Sequence, residues 1–286
     1  MTNPVFSNSA VFGEKANRDV QRTQARMDPR YGQAQDMATG AAAGMNVQQL
    51  DTMYNAPSAT SVDTGRMTYD DVIMKTGLLF VLLIISAAAT WQLAPQLYFV
   101  GAIVGLVFGL INSFKKEPSP LLIILYTLAQ GVFLGGLSFA FENTMVNGQP
   151  LNGIVLQAVL GTLSVFAVSL FLFKSGKVRV TPKFTRVLLI GMLGYLLFSL
   201  VNVVLVWTGV LDGWGMRGGG LGIVIGLVAV GLAAMSLVMD FDAAATGVKN
   251  GIPKKYAWSA AFGLMVTLIW LYVELLRLLA ILRGND

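Results

Sequence analysis

Charged residues inside the apolar runs of this chain are concentrated in its last two runs, between residues 219 and 282. Asp240 and Asp242 lie near the end of the first of these runs, and Glu274 and Arg277 lie well inside the second. Ionised side chains are costly in hydrocarbon, so they usually face a protein interior or a water-filled path. These carboxylates are therefore the candidates for binding a cation or a proton.

Asp240 and Asp242 are two residues apart, so on a helix their side chains point about 200° away from each other. At most one of them faces the centre of a helix bundle, and the spacing alone leaves open which one. The alternative is that the membrane span ends at Met239 and that both carboxylates lie at the level of the lipid headgroups. Against that alternative, Ala243–Ala245 and Val248 continue a pattern that suits a helix.

Two roles stay open for Glu274. It can form an ion pair with Arg277, three residues further along the same helix face, which lowers the cost of burying both charges. Alternatively, it is the outer carboxylate of a cation path, together with Glu142 at the outer end of the third apolar run. Gln130 lies near the middle of the third run. A buried amide side chain more often forms a hydrogen bond between neighbouring helices than binds a ligand.

The composition indicates an integral membrane protein. Hydrophobic residues make up 55% of the 286 residues and charged residues 12%, and runs of about 18 or more apolar residues can cross the hydrocarbon core as helices. The net charge of +5 does not indicate nucleic acid, because most Lys and Arg fall in loops, where they set membrane orientation. The chain has no Cys or His and no phosphate-binding or nucleophile motif, so we expect neither an enzyme nor a cofactor.

We predict an all-α integral membrane protein, with a seven-transmembrane-helix bundle at residues 69–286 and a disordered cytosolic N-terminal tail at residues 1–68. The tail is rich in Asn, Gln, Ala and Gly and lacks a sustained apolar period, which is typical of disorder. The predicted spans cover residues 72–94, 97–114, 120–141, 151–173, 185–208, 219–243 and 257–282.

Basic and charge-poor loops alternate along the chain. The basic segments lie near Lys75, at Lys115–Lys116, from Lys174 to Arg186, and from Lys249 to Lys255. The positive-inside rule therefore predicts a multi-pass protein of the cell (plasma) membrane, with its N-terminus in the cytosol and its C-terminus on the opposite side.

Short motifs in four of the spans match a known pattern. In chain order they are Gln130–Gly135 (QGVFLG, similar to EGxxLG), then Ala158, Thr162 and Phe166 (spaced as AxxxTxxxF), then Phe241-Asp242, and finally the segment Leu264–Leu282. With seven spans and an acidic terminal hairpin, the chain resembles the Bax inhibitor family, the transmembrane BAX inhibitor motif proteins, in its bacterial branch. The resemblance covers about residues 70–283.

The resemblance implies a bundle with span seven at its centre and a pH-sensitive calcium leak across the membrane. In that scheme one aspartate in span six and one in span seven share a proton and close the pore. Asp242 fits the span-six position best, and Asp240 is the second choice. Thr267 stands where the second aspartate belongs, and Glu274 lies two turns further out on the same face. The pH dependence is therefore expected to be weakened, moved or lost.

We expect this protein to let calcium or another cation cross the bilayer passively. Asp240 and Asp242 would form the inner gate and the candidate calcium site, Glu274 would be the outer carboxylate, and Thr267, Arg277, Gln130 and Glu142 would support them. The alternative is a non-conducting regulator that binds other membrane proteins, such as a membrane protease. The expected partners are thus the lipid bilayer, a cation and other membrane proteins, and not nucleic acid.

Overall fold

The computed structural model describes residues 65–146 and 149–284, which form seven long helices and one short β-hairpin. The helices are α1 (Tyr69–Leu93), α2 (Tyr98–Phe114), α3 (Pro120–Glu142), α4 (Ile154–Lys174), α5 (Pro182–Trp207), α6 (Gly219–Lys249) and α7 (Ala257–Gly284). Strands β1 (Met145–Val146) and β2 (Gln149–Pro150) pair antiparallel between α3 and α4. Seven segments of the described residues are helices long and apolar enough to cross a membrane, which confirms the predicted fold class.

The observed helices agree with the predicted spans to within a few residues, except at the end of span six. Helix α6 continues to Lys249, beyond the predicted end of that span. It stops where Gly251 takes a positive φ of 62°, a conformation that favours glycine after a helix. Asp240 and Asp242 therefore lie inside α6, which continues ten residues beyond Met239.

Helix α7 lies at the centre of the bundle. In its most apolar window 72% of the residues are buried, against 44% in α3 and α6 and 11–22% in the other four helices. It packs against α1, α3, α4 and α6. This is the central position that the family resemblance implied, and it means that every charged group on the middle of α7 needs a partner inside the protein.

Glycines on α3 allow α1 to approach its backbone closely. A Cβ atom on Gly135 would lie 2.2 Å from the carbonyl oxygen of Ala87, and one on Gly131 would lie 2.8 Å from the carbonyl oxygen of Leu83. Lipid tails are as apolar as the helices, so close van der Waals packing replaces the hydrophobic effect as a source of helix association. These glycines serve the packing of the bundle.

The start of α1 and the loops α2–α3, α4–α5 and α6–α7 carry most of the basic residues, and we call this side of the bundle the basic end. Two ion pairs hold the α6–α7 loop there. Lys254 Nζ lies 3.0 Å from Asp71 Oδ1 at the start of α1, and Lys255 Nζ lies 2.9 Å from Glu117 Oε1 in the α2–α3 loop. The hydrogen bond from Lys255 lowers the pKa of the exposed Glu117 carboxyl.

The chain is already folded just before α1. The backbone N–H of Met67 donates to the carbonyl oxygen of Ile252 at 2.8 Å, and the Met67 side chain is buried. The predicted tail boundary at residue 68 is therefore too late, because the described fold begins at Gly65. The rest of the predicted tail, residues 1–64, lies outside the described residues.

We expect Gly135→Ala to lower the free energy of unfolding by about 1–3 kcal/mol, because the added methyl group overlaps the Ala87 carbonyl and forces α1 away from α3. The matched control is Gly194→Ala on α5, where an added Cβ meets no atom within 4 Å. There alanine is expected to be neutral or to stabilise by up to about 1 kcal/mol through its higher helix propensity. Thermal unfolding in one detergent measures both variants, and equal melting temperatures would contradict the close approach.

Candidate functional site

Apart from Asp242, the polar side chains predicted from the last two spans belong to two separate groups that include residues of α7. The first is the pair of Asp240 and Thr267, which we call the Asp240 pair. The second contains Glu274, Arg277, Arg217 and Tyr195, which we call the arginine cluster. Seven residues of α7 separate Thr267 from Glu274, or about 10 Å along the helix axis.

The Asp240 pair joins α6 to α7. Thr267 Oγ1 donates a hydrogen bond of 2.6 Å to Asp240 Oδ2, and the Thr267 side chain is buried. Gly263, one turn earlier on α7, leaves room for the carboxylate, since a Cβ there would lie 3.3 Å from Asp240 Oδ1. Asp240 belongs to none of the salt bridges found among residues 65–146 and 149–284. Asp240 is thus a half-buried carboxylate between two helices, and its hydrogen-bond partner is neutral.

The structure reverses the predicted preference for Asp242 as the residue that faces α7. Phe241 is buried and its ring packs against Phe166 of α4, with ring centroids 5.4 Å apart. This contact fixes the rotation of α6. Both aspartates are half-buried, but Asp240 is the one that bonds to Thr267. The spacing limited the inward position to at most one aspartate, but it carried no information on the rotation of the helix.

In the arginine cluster, every hydrogen-bonding direction of the Glu274 carboxylate meets a donor. Oε2 accepts from Arg277 Nη2 at 2.6 Å and from Arg277 Nε at 3.2 Å. Oε1 accepts from Arg217 Nη2 at 2.7 Å and from the hydroxyl of Tyr195. Glu274 is 3% exposed, so these partners replace the water that an ionised carboxylate needs.

The cluster ties three parts of the fold together. Tyr195 lies on α5, Arg217 ends a short 3₁₀ turn before α6, and Glu274 and Arg277 lie on α7. Arg277 Nη1 also donates to the carbonyl oxygen of Arg217 at 3.2 Å. With two guanidinium groups and one carboxylate, the cluster has a net charge of +1 when all three are ionised. Of the two roles left open for Glu274, the geometry matches the structural ion pair.

Arg217 and Tyr195 were not among the predicted site residues. Arg217 lies in a loop outside the predicted spans, and Tyr195 is one of many aromatic residues in an apolar run. One sequence signal for Arg217 exists: it is the single basic residue between Trp207 and Gly219, in a loop that is otherwise charge-poor. A buried carboxylate on the neighbouring span needs such a partner.

The two supporting residues from span three have other contacts. Glu142 accepts hydrogen bonds from the backbone N–H groups of Gly153 and, at 3.2 Å, of Val155, so its charge stabilises the N-terminus of α4. Gln130 lies between α2 and α3, where a Cβ on Gly105 would be 2.7 Å from its Nε2. The predicted partnership of Glu142 with Glu274 is not observed, and Gln130 serves interhelical packing.

The described part of the chain contains no group of three or more His, Cys, Asp or Glu side chains that could hold a metal ion. The Asp240 pair offers one carboxylate and one hydroxyl oxygen, whereas calcium takes about six to eight oxygen ligands. A cation at Asp240 would therefore keep much of its water. This arrangement suits an ion in passage better than a resident ion.

Comparison with protein families identifies the family of the chain. A family model described as Bax inhibitor 1 like matches residues 3–284. The match extends further towards the N-terminus than the resemblance expected at residues 70–283. No curated protein matches the chain.

We expect Glu274→Gln to destabilise the protein by about 3 kcal/mol, because the substitution leaves two guanidinium groups in the cluster without their counter-ion. Tyr195→Phe removes one donor and leaves the ion pairs in place, so its effect is expected to be about 1 kcal/mol. Asp242→Asn, on a half-buried residue outside both groups, is the control. Thermal unfolding in detergent measures the series, and a Glu274→Gln protein as stable as the control would contradict the structural role of the cluster.

Proposed function

The chain belongs to the Bax inhibitor 1 like family, and on this premise we propose that it forms a passive pathway for calcium or another cation, gated at Asp240. One observation carries the proposal: the Asp240 carboxylate lies inside α6 with only a neutral hydroxyl, that of Thr267, bonded to it. Carboxylates in such positions mark ion pathways in membrane proteins. Hard cations such as calcium bind carboxylate, hydroxyl and carbonyl oxygens.

Thr267 gives the gate a different chemistry from a pair of carboxylates. Two neighbouring carboxylates repel when both are ionised and therefore share a proton. A threonine hydroxyl carries no charge and holds the closed state by one hydrogen bond to Asp240. In this proposal the gate opens when α6 and α7 move enough to break that bond, and any response to pH comes from proton binding by one carboxylate.

The arginine cluster forms the barrier at the end of the bundle opposite the basic end. Its net positive charge opposes a cation that passes close to Arg217 and Arg277, and the Glu274 carboxylate is fully engaged by its donors. In the proposal Glu274 is therefore a structural anion that keeps this end closed, and not a ligand for the moving ion. Release of the cluster is required before a cation leaves at this end.

A second candidate function is a non-conducting regulator that binds other membrane proteins. Two observations favour it: Thr267 stands where a second carboxylate is expected, and the cationic cluster closes one end of the α6–α7 pair. Such a regulator would show no ion flux after purification. Affinity purification of the full chain and of a variant lacking residues 1–64 would then identify a membrane partner that depends on the tail.

We further propose that the protein lies in the plasma membrane with the basic end in the cytosol. The alternation of basic and charge-poor loops supports this orientation, since the basic loops α2–α3, α4–α5 and α6–α7 are every second connection along the chain. The N-terminus would then be cytosolic and the C-terminus would face the opposite side.

We expect Asp240→Asn to lower calcium flux into proteoliposomes about tenfold, because asparagine has no charge that attracts a cation. We also expect the dependence of this flux on pH to flatten, because asparagine has no proton to exchange. Thr267→Val keeps the side-chain shape but removes the hydrogen bond that closes the gate, so its flux is expected to rise. A calcium dye inside the vesicles measures both, with sodium and potassium compared on the same preparation.

Asp242→Asn is the matched control for this series, since it removes the same charge from the same helix two residues away. Its flux and pH profile are expected to equal those of the unsubstituted protein. An Asp240→Asn protein with unchanged flux at every pH would overturn the role of Asp240. Absence of flux in the unsubstituted protein would instead favour the regulator.

The orientation predicts the outcome of cysteine labelling, which has no background because the chain contains no cysteine. Lys116→Cys in the α2–α3 loop and Asp212→Cys in the α5–α6 loop replace exposed residues at opposite ends of the bundle. In intact cells a membrane-impermeant maleimide is expected to label Asp212→Cys only, and Lys116→Cys is expected to react only after permeabilisation. The reverse pattern would show that the bundle is inserted the other way.

A further inference from the structure

A cavity of about 510 Å³ lies beside the central helix, away from both polar groups described above. Its walls come from α1, α3, α4 and α7, including Leu268, Ile269 and Tyr272 of α7. Helix α1 packs against α3 and α7, and α4 packs against α6 and α7. The space left between α1 and α4 forms an elongated groove, which we call the α1–α4 groove.

The mouth of the groove opens sideways, into the region that the bilayer occupies. Ile84 of α1 is 51% exposed, and Val159 and Leu163 of α4 are 37% and 44% exposed, while all three also line the groove. These residues lie in the middle of segments long enough to cross the membrane. The medium at the mouth is therefore lipid hydrocarbon.

The hydroxyl groups in the walls of the groove have hydrogen-bond partners within the protein. The hydroxyl groups of Ser138 and Tyr272 bond to each other at 2.7 Å. Thr162 Oγ1 donates to the carbonyl oxygen of Ala158 at 2.7 Å. Water in a cavity needs two to four polar partners, and apolar cavities accept apolar guests. The chemistry of the walls thus favours a hydrocarbon occupant.

The length of the groove matches one leaflet of a bilayer. On α1 its wall runs from Phe80 to Gln92, which is about 18 Å along the helix axis, and half of the hydrocarbon core is about 15 Å. The groove extends from the middle of the bundle towards the end opposite the basic end. Trp91 and Gln92 lie at that end, and tryptophan is enriched at the membrane–water interface.

The shape of the groove suits one extended hydrocarbon chain. The groove is long and open along one side, and its lining side chains are almost all apolar. An extended acyl chain is as long as one leaflet of the hydrocarbon core and contacts only apolar groups.

We propose that the α1–α4 groove binds one acyl chain of a membrane phospholipid from the leaflet opposite the basic end. The bound chain completes the packing between α1 and α4 and contacts α7 at Leu268, the residue next to Thr267. The lipid headgroup lies near Gln92, where the groove reaches the interface. The proposal holds whether or not the protein conducts ions.

Native mass spectrometry of the full chain tests the proposal. The protein is purified in a mild detergent, stripped of lipid and titrated with palmitoyl-oleoyl phosphatidylglycerol. We expect one phospholipid to remain bound through detergent exchange. Ala88→Trp on α1 and Val159→Trp on α4 fill the groove from opposite walls, and each is expected to lower the bound fraction about tenfold, because the indole displaces several CH₂ groups of the lipid chain.

The matched controls are Ala89→Trp and Leu160→Trp, which place the same side chain on the next residue of each helix, where the native side chain is exposed and does not line the groove. Both are expected to keep the lipid. Because Ala88→Trp and Val159→Trp test the two walls independently, one stable variant of the two is sufficient for the test. The unsubstituted protein also tests the proposal, since it is expected to retain one phospholipid.

Four results would overturn the proposal. The first is an unsubstituted protein that retains no phospholipid, and the second is an equal loss of lipid in the control variants. The third is retention of detergent or free fatty acid but no phospholipid, which would indicate an adventitious additive only. The fourth is a polypeptide bound in place of the lipid.

Discussion

The ion pairs of Glu274 with Arg217 and Arg277 are the interaction on which the position of α7 depends. Helix α7 is the most buried helix of the described bundle, and it carries two buried charged residues, Glu274 and Arg277, in its outer half. Removing an isolated charge from water costs several kcal/mol. Helix α7 can therefore occupy the centre of the bundle only where other groups of the protein pair with both charges. Arg217 provides one such partner from a loop, and the Arg217 carbonyl provides another for Arg277.

The same need for partners distinguishes the arginine cluster from the Asp240 pair. The arginine cluster satisfies its carboxylate with several donors and has the character of a fixed structural joint. The Asp240 pair has one hydrogen bond and a neutral partner, so far less free energy holds it in place. A helix pair that is firmly joined at one end and weakly joined near the other can move at the weaker end first. The proposed gate lies at that weaker contact.

The sequence was sufficient to predict the helices but not their rotations. Seven apolar runs of spanning length predicted seven helices, and the scarcity of charge within them pointed to Glu274 and Arg277 as an ion pair. The choice between Asp240 and Asp242 depended on the contact of Phe241 with Phe166 of α4, which is a tertiary contact with no local signature. Arg217 was missed for a similar reason, since its role comes from the fold of a loop over the end of α7. The α1–α4 groove is a space between helices, and no residue pattern within one helix indicates it.

The attachment of the segment before α1 has a mechanical consequence. Met67 is hydrogen-bonded to Ile252, and Lys254 is paired with Asp71, so the start of α1 is fastened to the loop that connects α6 with α7. The first 64 residues are covalently continuous with this fastening point. A force on the chain at Met67 would reach the α6–α7 loop before it reached any other connection among the described helices. It would therefore act first on the two helices that carry Asp240 and Thr267.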